Sequence, residues 1–304
     1  MVFLRHYFTK VMNKRAAVGS SSSDSNDRTE PLVGAQVLLR IYQDAQRQLS
    51  QLQFDSQSDN TERIAWAQER ADTVQWVSEL LFSTLLGWNQ WAWNLRQGYS
   101  SKSNGTINDV NHGRGLLVLG NDDRHLPCEG STVGLNTSQQ HCGNQGQTVL
   151  ESGMDNSPMY FNTWDDPQNL KRVAASYDAN ASRLQLYDCQ QTALFAAESL
   201  ALQTLARTTN NENALSLLEN QSSVVEEAVN NVLWDDATGI YRQVDASPQR
   251  KGFSPTISPT SFYPMLAGIP DAEQVQRMVR GFLTNASEFC VDPGPSVGQA
   301  LTTL

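Results

Sequence analysis

The stretch from Leu186 to Ala206 limits the possible folds of this chain more than any other segment. It is rich in Ala and Leu, and Ala193, Leu194, Ala197, Leu200, Ala201 and Leu205 spread over a wide apolar face. A helix lying on a surface needs only a narrow stripe, so this pattern predicts a helix packed on two sides. Neighbours must then be found elsewhere in the chain to cover both faces.

Several other segments have the right spacing. Between Pro31 and Phe54 the apolar positions Leu38, Leu39, Ile41, Tyr42, Ala45, Leu49 and Leu52 recur at helical intervals. A second helix starts at Asn60 or Thr61, either of which can cap it, with Glu62 in the first turn. Its stripe is Ile64, Ala67, Ala71, Val74, Leu81, Leu85, Trp88, Ala92 and Leu95. Asn211 to Trp234 predicts another helix, and Trp234 to Arg242 reads as a turn leading into a short extended segment. Pro270-Asp271 opens a final helix through Leu283, with Val275, Met278, Val279 and Phe282 inward. Trp88, Trp91 and Trp93 crowd one helix end, where helical spacing favours a core role over sugar stacking. No tight internal repeat is present, which disfavours a solenoid. The expectation is an all-α body, either an α/α toroid or an irregular helical bundle; periodicity does not choose between them.

The remaining segments are of a different kind. Residues 16–30 are small and polar and predict a disordered leader, so the organised domain is expected over 31–304. Residues 1–23 are basic, lack acids and end in a serine run, as in a transit peptide or simply a ragged start. Residues 98–150 lose periodicity apart from the apolar run Gly115 to Leu119, and predict a long loop. A formal charge of −10 disfavours nucleic acid and anionic lipid, and no run is long and apolar enough to predict a membrane span. Cys128, Cys142, Cys189 and Cys290 are too scattered for a disulfide scaffold, although Cys128 and Cys142 share a loop and can pair under oxidising conditions. His125, Cys128, His141 and Cys142 have poor spacing for zinc, so no metal and no cofactor is expected. Five glycosylation sequons, at Asn104, Asn136, Asn180, Asn220 and Asn285, keep secretion open beside organelle import and a cytoplasmic location. The oligomeric state is left open.

The loop Glu151-Ser-Gly-Met-Asp-Asn-Ser-Pro158 has the make-up of a site that presents one acid. Gly153 permits a sharp turn and Pro158 ends any local helix, while Asn156 and Ser157 can donate hydrogen bonds that fix a neighbouring carboxylate. Asp155 is the candidate. On the local sequence alone the commoner reading is a turn aspartate or a helix cap. Tyr160 and Trp164 follow on the same loop and are well placed for a sugar face.

The order of motifs changes that weighting. ESGMDNSPMY is followed by LYDCQQTALFAAESLALQTLA, LWDDATGIYRQVD, KGFSPTISPTSFYPMLAGIP and EFCV. This series resembles glycoside hydrolase family 63, and within it the mannosylglycerate-hydrolase-like branch, from about Leu80 to Val291. The resemblance implies an (α/α)6 toroid, the six-hairpin glycosidase architecture, inverting cleavage of an α-glycosidic bond, and a small sugar glycoside as substrate, α-mannosyl or α-glucosyl glycerate. It implies that Asp155 is the general acid. Glu151 would line or brace the pocket, with a purely structural acid as the alternative, and Asn156 would contact the substrate. Tyr263, in the Ser258-Pro-Thr-Ser-Phe-Tyr segment, would border the sugar, with a core tyrosine behind a helix cap as the alternative.

Inversion also needs a second carboxylate to activate water from the far side of the sugar. In the family this is a glutamate after a Trp-Arg-Gly segment, which has no counterpart in the 304 residues; Glu288 matches a segment that precedes it. Phe161 stands where the family has an aspartate, with Asp165 and Asp166 nearby, and the family's early Trp-Asp segment has no clear counterpart. These departures lead to the expectation of an incomplete toroid. They also keep a second function open, a noncatalytic fragment or carbohydrate-binding pseudoenzyme.

Overall fold

The computed structural model describes residues 32–54, 61–98, 113–120, 152, 177–178, 183–246, 252–285 and 287–288. Helix α1 is Gly34–Phe54, and α2 (Thr61–Gln75) runs through a π-helical turn (Trp76–Leu81) into α3 (Phe82–Arg96). Three short strands and the central helix follow in the order β1 (Tyr177–Asp178), β2 (Arg183–Leu184), β3 (Leu186–Tyr187) and α4 (Cys189–Thr208). Helix α5 (Glu212–Ala228) ends in a second π turn (Val229–Leu233). Strands β4 (Trp234–Asp235), β5 (Ile240–Tyr241), β6 (Val244–Asp245) and β7 (Gly252–Phe253) lead to a 3-10 helix (Pro259–Ala267). Helix α6 (Ala272–Met278) and a third π turn (Val279–Leu283) complete the described elements.

The helix that the wide apolar face requires is α4. Residues 189–199 are buried all round, because α4 packs against the 3-10 helix, α5, α1 and α3. Phe195, Leu202 and Leu205 form the centre of the core, with Leu38 from α1, Leu85 from α3 and Leu218 from α5. Burying polar groups is costly unless they are hydrogen-bonded, and several buried polar side chains on α4 each tie down a different neighbour. Thr192 Oγ1 accepts from the Leu117 amide at 2.9 Å. Glu198 accepts from the Ala35 amide at 2.5 Å and the Gln36 amide at 3.3 Å, at the start of α1. Ser199 Oγ accepts from Asn89 Nδ2 of α3 at 2.9 Å. Gln203 Nε2 donates to the Leu218 carbonyl and, at 2.7 Å, to Ser222 Oγ of α5. Apolar burial supplies the driving force; these bonds select which helices meet and at what height.

Paired helices around a buried inner helix make this an all-α fold of the (α/α)6 toroid type. The expected helices appear, with two differences. Leu186 and Tyr187 are extended, pairing antiparallel with Asp245 and Val244, so the helix opens at Cys189 rather than at 186. The expected stripe holds from Leu81 through Ala92, but Ile64 is 73 % exposed. The π turn at 76–81 accommodates an extra residue and rotates the upstream turns, so Thr73 and Val77 face inward instead. Trp88 is a core residue and Trp93 stacks on Phe195 with ring centroids 5.8 Å apart. Within 98–150 only 98 and 113–120 are described. There Leu116 to Leu119 are buried in an extended run that bridges Gln97 through Leu117 and Arg183 through Gly120. The leader, residues 1–30, lies outside the described residues.

Candidate active site

The described polar groups converge at the N-terminal end of α4. Asp188 caps that helix, its Oδ1 accepting from the Gln191 amide at 2.7 Å. Its second oxygen accepts from Gln243 Nε2 at 3.1 Å, which joins the cap to the residue between β5 and β6. The Asp188 amide donates to the Leu117 carbonyl at 2.9 Å. Tyr187, fully buried, lies against Gly113, where φ is +92° and an added Cβ would stand 2.5 Å from the Tyr187 hydroxyl oxygen. Through its carboxylate and its backbone amide together, Asp188 thus gathers three stretches of chain around the helix terminus.

A fourth stretch arrives there too. Ser152, the second residue of the acidic loop, is buried, and its carbonyl accepts from Gln190 Nε2 at 2.6 Å. Gln190 lies in the first turn of α4, so the loop's start is held on the helix end that Asp188 organises. On the other flank, the Cys189 thiol contacts the Thr260 carbonyl at 3.7 Å, the start of the 3-10 helix. Burial first, and the adjacent Asp188 carboxylate second, push that thiol well above its ordinary pKa. Cys189 is therefore a neutral packing group and no thiolate nucleophile.

Of the residues expected at the site, Glu151, Asp155, Asn156, Tyr160 and Trp164 lie outside the described residues, as do Phe161, Asp165 and Asp166. Tyr263 is described. It is half-buried in the 3-10 helix, packed against the core, and that helix docks on α4. Ser258 caps the same helix, its Oγ accepting from the Thr260 amide at 3.3 Å. Glu288 is exposed in a turn beyond the third π turn, its amide donating to the Asn285 carbonyl. Among the described residues no three metal-capable side chains lie together, and no helix is long and apolar enough to cross a membrane. His125, Cys128, His141 and Cys142 lie outside the described residues.

Sequence reasoning missed Asp188, Gln190 and Gln243. The first had a signal: Asp188 followed three residues later by Gln191 is the spacing of a helix N-cap. Gln190 and Gln243 had none, because each acts on a residue far away in the chain.

The fold is thus all-α, of the toroid type, with Ser152 of the Glu151–Pro158 motif held at the start of the inner helix. A family model described as the mannosylglycerate hydrolase MGH1-like glycoside hydrolase domain matches residues 8–300, and the chain belongs to that family. The kinship read from the Gly-Met-Asp-Asn loop and the motifs after it is therefore correct. Similar solved structures include the following three. The glycoside hydrolase family 63 mannosylglycerate hydrolase from Thermus thermophilus, in complex with glucose, is 16 % identical with a TM-score of 0.48, over 83 % of this chain and 50 % of that one. An uncharacterised conserved protein from the same organism is 18 % identical with a TM-score of 0.49, over 86 % and 54 %. The neutral trehalase from Saccharomyces cerevisiae is 12 % identical with a TM-score of 0.46, over 84 % and 44 %. The chain spans about half the length of these structures. No curated protein matches it.

Proposed function

We propose that the chain carries the general-acid half of an inverting α-glycosidase site, with Asp155 as the acid and an α-mannosyl or α-glucosyl glycerate as substrate. Asp155 delivers its proton to the glycosidic oxygen as the bond to the anomeric carbon breaks, while water adds to that carbon from the opposite face. The proton lost by the water goes to a second carboxylate, to which no residue is assigned here. Glu151 and Asn156 flank the acid in sequence, and Tyr160, Trp164 and Tyr263 supply aromatic surface for the sugar ring.

The observation that carries this reading is the anchoring of Ser152. Asp155 follows it by three positions, which limits their Cα separation to about 11 Å. Ser152 is held at the end of α4 where the Asp188 network, the short strands and the 3-10 helix with Tyr263 meet, and Asp155 is joined to it by that short length of chain. Membership of a glycoside hydrolase family supplies the chemistry for an aspartate so tethered. A noncatalytic fragment or carbohydrate-binding pseudoenzyme is the second reading, motivated by the second carboxylate to which no residue is assigned.

Proton NMR of the products from mannosylglycerate and glucosylglycerate tests both the substrate and the stereochemistry. The expected first product is the β-anomer of the free hexose. An α-anomer would overturn inversion. Measurable binding of both glycerates with no turnover would favour the second reading.

A further inference from the structure

We propose that α1 and α2 together are a strap latched by Glu198, and that the strap opens as a unit, with the rest of the fold in place, as the pH rises past neutral. The latch shares no residue with the acidic loop and stands apart from the reading of Asp155.

A helix leaves its first amides without intrahelical acceptors, and a Ser, Thr, Asp or Asn just ahead of it normally supplies one. Helix α1 has no such residue: Pro31-Leu32-Val33 precede Gly34, and no acid stands in its first turn. The acceptor comes from α4 instead. Glu198 takes the Ala35 amide on Oε1 and the Gln36 amide on Oε2, 163 and 162 residues away. These are the second and third residues of α1, the positions that a cap serves. Glu198 is 0 % exposed, so hydrating its carboxylate means lifting an element that covers it.

The strap is the cover most easily lifted. Residues 189–199 of α4 are buried all round, whereas α1 buries one stripe, Ala35, Leu38, Tyr42 and Ala45, and Thr73 is the one described residue of α2 that is buried. Helix α2 leaves Ile64 and Trp66 exposed and packs mainly on α1, so lifting α1 frees both helices. The π turn after α2, with Val77 and Leu81 buried, marks the boundary. Beyond it α4 keeps its packing against α3, α5 and the 3-10 helix. Few buried apolar contacts are what allow a segment to open locally.

The direction follows from the latch. Burial pushes the Glu198 pKa up to about 7 from an ordinary 4.5, and the two amides only partly offset it. No charge on the surrounding elements, Arg40 and Tyr42 of α1, Arg96 of α3, Glu219 and Glu226 of α5 or Tyr263 of the 3-10 helix among them, is a cause of that shift. The closed strap holds the neutral carboxyl, and the open one releases its proton to water. Closure is therefore strongest below 4.5 and weakens as pH rises through about 7.

The test is amide hydrogen exchange on the full chain between about pH 5 and about pH 8, corrected for the intrinsic rate at each pH. The amides of Leu38, Tyr42 and Ala45 should be less protected than those of Phe195 and Leu202 in α4 throughout, the mark of an opening short of global unfolding. Across that range their protection should fall by about 50-fold in the wild type. In Glu198→Gln, which stays neutral and keeps an acceptor for the Ala35 amide, it should fall by less than about threefold. Protection at these α1 positions equal to that of α4 would overturn the strap, and that comparison needs the wild type alone. A wild type whose α1 protection is flat with pH, or one whose fall is matched by Glu198→Gln, would overturn Glu198 as the latch.

Discussion

Glu198 carries a carboxylate into the middle of the core, and its position makes a quantitative prediction. Burial pushes its pKa up to about 7, and the Ala35 and Gln36 amides only partly offset that. The folded state therefore holds a proton that the unfolded chain releases near the ordinary value of 4.5. The stability this group contributes is fully present below that lower value and is lost as pH rises through about 7, a difference of order 3 kcal/mol. Urea melts of wild type and Glu198→Gln across this range should show the wild type losing ground to the variant as pH rises. A wild type that instead gains relative to the variant would contradict the burial argument. Asp235 shifts the other way: burial raises it, but Thr238 and Arg242 prevail and hold it below the usual carboxylate range. Its contribution is lost as pH falls, which is why the variant difference, rather than the raw curve, isolates Glu198. Nothing in Ala-Ala-Glu198-Ser-Leu announces a capping role, because the capped amides lie more than 160 residues earlier.

At the level of elements, the sequence was most legible where local chemistry decides the outcome. Asn211 caps α5 through the Ala214 amide, Asp271 and Gln274 form a reciprocal capping box on α6, and Met278 and Phe282 point inward as their spacing predicts. It was least legible where packing overrides period. Leu186 and Tyr187 read as a helix start because they are apolar, but their strand partner is almost sixty residues away. Ile64 belongs to a stripe only if the helix keeps one pitch, and the π turn changes it. Asp188→Ala should cost about 3 kcal/mol in urea unfolding, from the lost cap and the stranded Gln243 amide. Gly239 sits at φ +77° in the turn between β4 and β5, with an added Cβ 3.0 Å from Arg277 Nε. Gly239→Ala should therefore cost about 1–2 kcal/mol, read as a lower melting temperature; an unchanged melt would argue against this turn.

For the whole molecule, stability rests on one enclosed helix. Leu202→Ala, at a fully buried position of α4, should cost about 2–5 kcal/mol by leaving a cavity between α4 and its neighbours. The helical body could be read from periodicity, and the toroid type and family from the motif order. The site itself was only half legible. A motif identifies the loop, but not what Ser152 meets: its partner Gln190, and the Asp188–Gln243 bond beside it, come from two segments and act through tertiary contacts that leave no periodic trace. The central proposal is that Asp155 serves as the general acid. Its most direct test is the rate of mannosylglycerate hydrolysis by the purified chain beside Asp155→Asn. The account predicts a loss of about 100-fold or more in the variant, with the fold retained; equal rates in the two proteins would contradict it.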